Sequence, residues 1–459
     1  MSNTSMTPRR LAAIQSRNLR SEILKLAWPA VTEQMLHMAV GMLDTIMVGR
    51  LGPAALASVG LGAQITMTFT SVFSAVATGT TALVARHVGA KEPDKASQVA
   101  RQSMVLGFVL AAVVTVLTFC GAEFFLNLLF HRTDPAVRHD AASYIRIISL
   151  AMITNFLLII TNGVLRGAGD TRTPMFITGL VNIVNVIGNY LLIFGIGPFP
   201  MMGIRGAALS TAISQGVGGI TAITVVALGK GPIKISWRDS FRPHRETISR
   251  ILRIGVPAAF ELWVMRFGQI LYTIIVSSLG TVAYAAHQVA QNAESLSFMP
   301  GFGFALAATT LVGQSLGARD PELAERSNIE AMKLAMGTMA CLGVVLFLGA
   351  DQLVRVFTDD AETIALGAQV LRIEALAQPA LAAVMALNGG LRGAGDTVSV
   401  MTISAIGLCG TRVVLAYLLA IHFELGLVGA WIAMAVDLFI RAGLLWWRFK
   451  QGHWKYLHV

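Results

Sequence analysis

Between residues 23 and 447 the sequence returns repeatedly to apolar runs of about twenty residues or more. A chain with an ordinary wet surface cannot hide so many of them. A hydrocarbon layer about 30 Å thick is crossed by about 20 helical residues, so each run is long enough to span it. Twelve such runs are read, at 23–47, 57–83, 103–130, 143–165, 174–197, 206–228, 249–277, 287–313, 331–356, 366–388, 399–421 and 427–448. With 55% hydrophobic and only 13% charged residues overall, little is left for a soluble domain. The strict apolar-polar alternation of barrel strands is absent, so the runs are read as helices. Pro29, Pro257, Pro300 and Pro379 interrupt them and are expected to bend them. The first run continues past Pro29 and Glu33 as a full span, unlike a cleavable secretion signal.

Charge then sets orientation. Basic residues gather at the two ends and in the even-numbered connections, as in Arg9, Arg10, Arg86, Lys91, Arg172, Lys230, Arg245, Arg319 and Lys450. The odd-numbered connections carry few, and one of them holds Asp359, Asp360 and Glu362. Both ends are therefore expected in the cytoplasm, and the net charge of +10 reflects this segregation rather than a nucleic-acid surface. Cys120, Cys341 and Cys409 lie in or beside apolar runs, with neither disulfide nor metal spacing, and read as buried small hydrophobes.

The heptapeptide LRGAGDT occurs at Leu165–Thr171 and again at Leu391–Thr397. The match extends outward. WPAVTEQ at Trp28 falls on VPAAFEL at Val256, pairing Pro29 with Pro257 and Glu33 with Glu261, and DTIMVGRLGPAALA at Asp44 falls on YTIIVSSLGTVAYA at Tyr272. The chain is thus read as a six-helix half at 1–228, a basic linker at 229–250 with Trp237 and Phe241 at the lipid interface, and a second six-helix half at 251–459. Six crossings per half make the halves parallel, and such a duplication suggests a central cleft opened alternately to each side. LRGAGDT becomes the cytoplasmic turn between the fourth and fifth spans of each half. Its Gly-Ala-Gly core closes the turn, Asp170 or Thr171 and Asp396 or Thr397 cap the next helix, and Arg166 and Arg392 are expected at headgroup height.

Ionisable residues inside spans are costly and mark function or pairing. In the first span Glu33, His37 and Asp44 are spaced four and seven apart, which stacks them along one helix face with no obvious cation to neutralise them. A carboxylate so placed is a natural proton acceptor. The second half mixes Glu261, Glu294, Glu374 and Asp437 with Arg266, Arg412 and Arg441. Asp437 and Arg441, four apart, make an easy internal pair. The first half is therefore expected to carry the coupling ion and the second to be largely charge-compensated. Glu294 and Glu374 are read either as contacts for a cationic substrate or as neutralisers of Arg266 and Arg412.

The stretches LDTIMVGRLGPAALASVGLG and LVGQSLGARDPELAE, with the paired LRGAGDT turns, resemble the multidrug and toxic compound extrusion (MATE) family over essentially the whole chain. The resemblance implies an all-α integral membrane protein of twelve transmembrane helices in two parallel six-helix lobes, a V-shaped bundle. It implies export of cationic or amphipathic drugs and toxic compounds in exchange for protons, with sodium as the other candidate ion and no other cofactor. The family's first-span Asp matches Asp44 and its fifth-span polar pair matches Asn185 and Asn189. With Glu33 and His37 these form the candidate ion-coupling set, and Glu294 and Glu374 are the candidate substrate contacts. The acids that NorM-type members carry in the seventh and tenth helices fall near Arg266 and Leu381. That departure resembles the DinF-type branch, usually associated with protons.

The expected partners are small organic compounds and membrane lipids, with no nucleic acid, and a monomer in the cell (inner) membrane. A lipid-linked oligosaccharide flippase would share the architecture but need basic residues lining its cleft for pyrophosphate. RHVGAKEPDK does not spell the signature of a major-facilitator transporter. No H-E-x-x-H, G-x-S-x-G or Walker loop is present, which argues against an enzyme and against direct ATP coupling.

Overall fold

The computed structural model describes residues 19–229, Ile233 and residues 242–457. Trp237 and Phe241, and the basic Arg9 and Arg10, lie outside the described residues. The described chain contains twelve long helices: α1 Leu19–Gly49, α2 Pro53–Gly89, α3 Pro93–Leu129, α4 Pro135–Gly167, α5 Arg172–Phe194, α6 Gly203–Ala227, α7 Arg245–Ser278, α8 Thr281–Gly317, α9 Pro321–Leu348, α10 Ala361–Ala394, α11 Thr397–His422 and α12 Gly426–Lys450. Ten are long and apolar enough to cross a membrane, and α8 is an eleventh if its bent halves form one span. The remaining helix, α1, is 31 residues long and carries Glu22, Lys25, Glu33 and Asp44 along its length.

Local chemistry places the helix starts. Pro53, Pro93, Pro135 and Pro321 open helices where a missing N–H costs nothing. Asp134, Asp320 and Asp360 accept backbone N–H bonds as caps of α4, α9 and α10. Pro29, Pro257 and Pro379 lie inside continuous helices. The sharp bend falls in α8, 47° between Ser295 and Ser297, at the carbonyl of residue i−4 that the Pro300 ring displaces.

Internal packing divides the chain into two units. One holds Thr32–Gly255; the other holds Val256–Val459 with the described residues of Thr7–Val31. The borders of the packing units and of the sequence repeat therefore differ. Ile23, Leu26 and Ala27 of α1 pack with Phe304, Leu311 and Met339 in the second unit. Arg242 and His244 of the linker are held in the first unit by the Gln102 side chain, which donates to the Arg242 carbonyl at 2.9 Å and accepts from the His244 N–H at 2.8 Å.

Each unit is built around its fourth helix in the repeat. The apolar windows of α4 and α10 are 61% and 78% buried, against 28% in α3 and α9, whose remaining apolar surface faces outward. Large side chains such as Phe176, Leu150 and Ile220 are exposed on the outer faces, the inverse of a soluble protein and the expected dressing of a lipid-facing one. Small residues bring helices close. In the first unit Thr81 donates to the Gly163 carbonyl at 3.0 Å, and a Cβ on Gly167 would sit 2.6 Å from the Thr81 carbonyl oxygen. In the second, Thr309 donates to the Gly389 carbonyl at 2.8 Å, and a Cβ on Gly393 would sit 2.2 Å from the Thr309 oxygen. The last glycine of each pair is the first glycine of LRGAGDT.

Candidate functional site

The second glycine of the heptapeptide closes both turns in the left-handed region, at φ 88° for Gly169 and φ 88° for Gly395. Identical letters make identical backbone; the side chains then diverge. Asp170 accepts from the backbone N–H of Arg172 and Thr173 and from the Thr173 hydroxyl, capping α5 as expected. Asp396 makes no cap bond and instead accepts from Arg448 Nε of α12 at 2.9 Å.

The arginines of the two turns correct the expectation of headgroup anchoring. Arg166 Nη2 donates to Glu33 Oε1 at 2.5 Å, and Arg392 Nη2 donates to Glu261 Oε2 at 2.7 Å. Both glutamate side chains are 1% exposed. A hydroxyl from the following helix completes each clamp: Thr178 to Glu33 at 3.3 Å, and Ser404 to Glu261 at 3.1 Å. The physical reason is burial. A carboxylate removed from water takes the nearest guanidinium, and one turn of the same helix bundle supplies it. Sequence reasoning missed this pairing, yet its signal was present: a Glu and an Arg both survive the duplication.

Along α1 and α5 the contacts keep nearly constant spacing. Thr178 meets Glu33, Asn182 Nδ2 donates to the Leu36 carbonyl at 2.7 Å, and Asn189 meets Asp44. These partners are 145, 146 and 145 residues apart, so the two helices run parallel. At the far end of this stripe Asn189 Nδ2 donates to Asp44 Oδ1 at 2.5 Å and to Asn185 Oδ1 at 3.1 Å. Asn185 Nδ2 reaches Thr211 Oγ1 of α6 at 3.2 Å, and the Ser210 hydroxyl donates to the Asn185 carbonyl at 2.8 Å. Gly188 permits this approach, since a Cβ there would lie 2.5 Å from Ser210 Oγ. Asn185 and Asn189 are buried and Asp44 is half-buried. Asn189 Oδ1 is buried with no hydrogen-bond partner among the described residues.

The structure thus brings Asp44, Asn185 and Asn189 together, with Thr211 and Ser210 as partners the sequence did not single out. It separates Glu33 from them by eleven residues of helix, about 16 Å at 1.5 Å per residue. Glu33, His37 and Asp44 do not form one hydrogen-bonded group: Glu33 is clamped, and His37, one turn along, lies in the field of Glu33 and Arg166 rather than in the Asp44 network.

In the second unit Asp437 accepts from Arg412 Nε at 2.9 Å and from Arg441 Nε and Nη2 at 2.9 and 2.7 Å, all three side chains being buried. The Asp437–Arg441 pairing agrees with the spacing of four. Gly407 makes room, since a Cβ there would meet Arg441 Cγ at 2.3 Å and Asp437 Oδ1 at 2.5 Å. It lies in a stretch of α11, Ile406–Arg412, wound as a π-helix, the wider turn that often marks a specialised site. Glu374 is fully buried and Glu294 is half-buried. Arg266 is exposed on α7, and Leu381 is packed in the core. No group of three or more His, Cys, Asp or Glu among the described residues could hold a metal ion.

A duplicated set of twelve long helices, ten of them apolar enough to cross a membrane, with a polar network between helices among the described residues, is the construction of a membrane transporter. Its sequence matches the MatE family model twice, over residues 29–191 and 257–418, and the chain belongs to that family of transporters; it is not an enzyme. It is 34% identical over 443 residues to the probable multidrug resistance protein NorM of Thermotoga maritima, covering 95% of this chain and 93% of that one. It is 27% identical over 432 residues to the uncharacterized transporter YisQ of Bacillus subtilis, covering 94% of each. Among solved structures, a MOP superfamily transporter from Pyrococcus furiosus superposes with a TM-score of 0.88 at 24% identity, over 96% of this chain and 97% of the other. A MATE protein crystallised in complex with MaL6 gives 0.89 at 23% identity, over 98% and 100%. These two likenesses establish the fold.

Proposed function

We propose that this protein exports cationic or amphipathic organic compounds across the cell membrane in exchange for protons, acting as a monomer with both ends in the cytoplasm. The relatives named for multidrug resistance and the basic even-numbered connections support the export and orientation. The observation that carries the coupling is the Asp44 network: a half-buried carboxyl bonded by Asn189, with no ion pair to a cation among the described residues.

An amide suits either protonation state of its partner. As a donor, Asn189 Nδ2 holds the carboxylate; turned over, its unpartnered Oδ1 accepts from the carboxylic acid. Asn185 offers the same choice one turn away. Proton entry from outside would neutralise Asp44, exchange the Asn189 bond and favour the state that releases the exported compound. Exchange requires that proton and compound favour opposite conformations by differential affinity. Glu33 serves this cycle as part of a clamp rather than as an ion carrier. The test is efflux of a cationic dye from proteoliposomes under imposed proton and sodium gradients in turn. Efflux should follow the proton gradient and collapse when a protonophore dissipates it; efflux driven by sodium alone would overturn the reading.

A further inference from the structure

Toward the end of each unit opposite its LRGAGDT turn, an acid and an arginine pair on the exposed surface between the third and fourth helices of the repeat. In the first unit Arg146 Nη2 of α4 donates to Glu123 Oε1 of α3 at 2.9 Å. In the second, Arg372 Nη2 of α10 donates to Asp351 Oδ2 in the short helix Ala350–Arg355 that follows α9, and its Nε reaches the Phe347 carbonyl at 3.4 Å. The partners are 23 residues apart in one unit and 21 in the other, the same two-residue difference as between the clamps, at 133 and 131. The pair therefore belongs to the repeat. Unlike the clamps it is open: both arginine side chains are 38% exposed, and the acids 57% and 42%. Apolar surface runs from it toward the middle of the helices. Four residues before the acids stand Phe119 and Phe347, and four residues after the arginines stand Leu150 and Leu376, all of them exposed.

Helix length sets the depth of the pair. α4 and α10 are 33 and 34 residues long, about 50 Å, which exceeds a hydrocarbon layer by about 20 Å. Arg146 and Arg372 each stand eleven residues after the first residue of these helices, Pro135 and Ala361, about 16 Å along the axis. With the excess shared between the two ends, the arginines start just inside the hydrocarbon edge, and their stems reach back to headgroup level. Acyl chains offer no hydrogen bonds to a half-open ion pair at that depth. A headgroup does. Each guanidinium keeps donors beyond those already spent, a match for phosphate, and each carboxylate keeps an oxygen, a match for a cation with N–H groups. The acid beside the arginine repels a headgroup that is only anionic, and a quaternary ammonium brings charge without an N–H. We propose that each pair holds the headgroup of one phosphatidylethanolamine, phosphate on the arginine and ammonium on the acid, with the acyl chains along the phenylalanine and the leucine.

Headgroup binding of this kind is independent of the export reading. It is tested on the full-length protein in detergent, titrated with phosphatidylethanolamine, phosphatidylcholine or phosphatidylglycerol of the same acyl chains, with the lipids retained per protein counted by native mass spectrometry. The wild type should retain two phosphatidylethanolamines that phosphatidylcholine does not displace. Glu123→Gln and Asp351→Asn should each lose one, and the double variant both. Arg146→Gln and Arg372→Gln should repeat the pattern from the phosphate side. The amides nearly match the acids in shape and the pairs are half exposed, so the acid variants should unfold close to the wild-type temperature. A purely structural ion pair would leave the lipid count unchanged in every variant, and that result would overturn the proposal. Equal retention of phosphatidylcholine and phosphatidylethanolamine by the wild type would overturn it too. A phosphatidylglycerol count that falls in Arg146→Gln as far as the phosphatidylethanolamine count would make the occupant an anionic lipid, against the proposal.

Discussion

Where the first half of the chain carries Asp44, the second carries Tyr272, and the surroundings differ as much as the residues. Asp44 stands in a network of neutral amides and hydroxyls from α5 and α6, whereas Tyr272 lies beside a charged cluster drawn from α8, α10, α11 and α12. The helix carrying Asn185 and Asn189 is an unbroken α-helix; its counterpart α11 contains two π-helical stretches, Ile406–Arg412 and Leu418–His422. The glutamate–arginine clamps, by contrast, are nearly superimposable in chemistry. Duplication therefore preserved the clamp that holds each half together, while the polar surroundings of Asp44 and Tyr272 diverged.

The largest stability effects should come from the shared part. Arg166→Ala and Arg392→Ala each leave a glutamate that is 1% exposed without its guanidinium, a loss of about 3 kcal/mol or more. Unfolding followed in detergent should show both variants destabilised to a similar degree, and combining Glu33→Arg with Arg166→Glu should recover part of the loss. A neutral Arg392→Ala beside a damaging Arg166→Ala would break the equivalence of the clamps.

Gly188→Ala and Gly407→Ala probe the divergent part. A Cβ at Gly188 would meet Ser210 Oγ at 2.5 Å, and one at Gly407 would meet Arg441 Cγ at 2.3 Å. Overpacking of this kind costs about 1–3 kcal/mol. Exchanging the glycines' roles is not expected: the position matching Gly188 in the second half is Val414, which is exposed. A thermal-shift comparison should place Gly188→Ala well below a control substitution at Val414.

The smallest effect separates the matched turns before α3 and α9. Asp320→Ala removes the bond to the Leu323 N–H and should cost about 1 kcal/mol. Glu92, its counterpart, caps nothing and instead contacts Lys95 and His87 at the surface, so Glu92→Ala should cost less. Lys95 first, and then His87, hold the Glu92 carboxylate below its ordinary pKa. Its small contribution is thus complete above the ordinary carboxylate range and is lost only as pH falls through the lowered value. Urea unfolding at neutral and acidic pH would check this.

Much of the architecture was written in the period of the apolar runs and in the duplication, because a bilayer leaves few ways to satisfy a backbone. The Asp44, Asn185 and Asn189 group was also legible, since the asparagines are four apart on one helix and a lone acid needs a donor. The clamps were not read, because an arginine at a turn looks the same in sequence whether it reaches toward headgroups or folds back onto a buried glutamate. Spacing placed His37 with Glu33, and it does lie in the field of the Glu33–Arg166 clamp, one turn away along α1. Glu374 reads in sequence equally as a substrate contact or as a neutraliser of an arginine, because spacing alone does not show what a buried acid faces.

The central claim is that Asp44 couples the proton. Asp44→Asn replaces the carboxyl by an amide close in shape to the protonated acid, and a neutral group is cheaper to bury than a charge, so the variant should fold. The decisive measurement is proton-gradient-driven dye efflux from proteoliposomes holding equal amounts of wild type and Asp44→Asn. The account predicts that the variant remains folded, with unfolding temperature at or above the wild type, and loses gradient-driven efflux. Efflux by Asp44→Asn at the wild-type rate under the same proton gradient would contradict it.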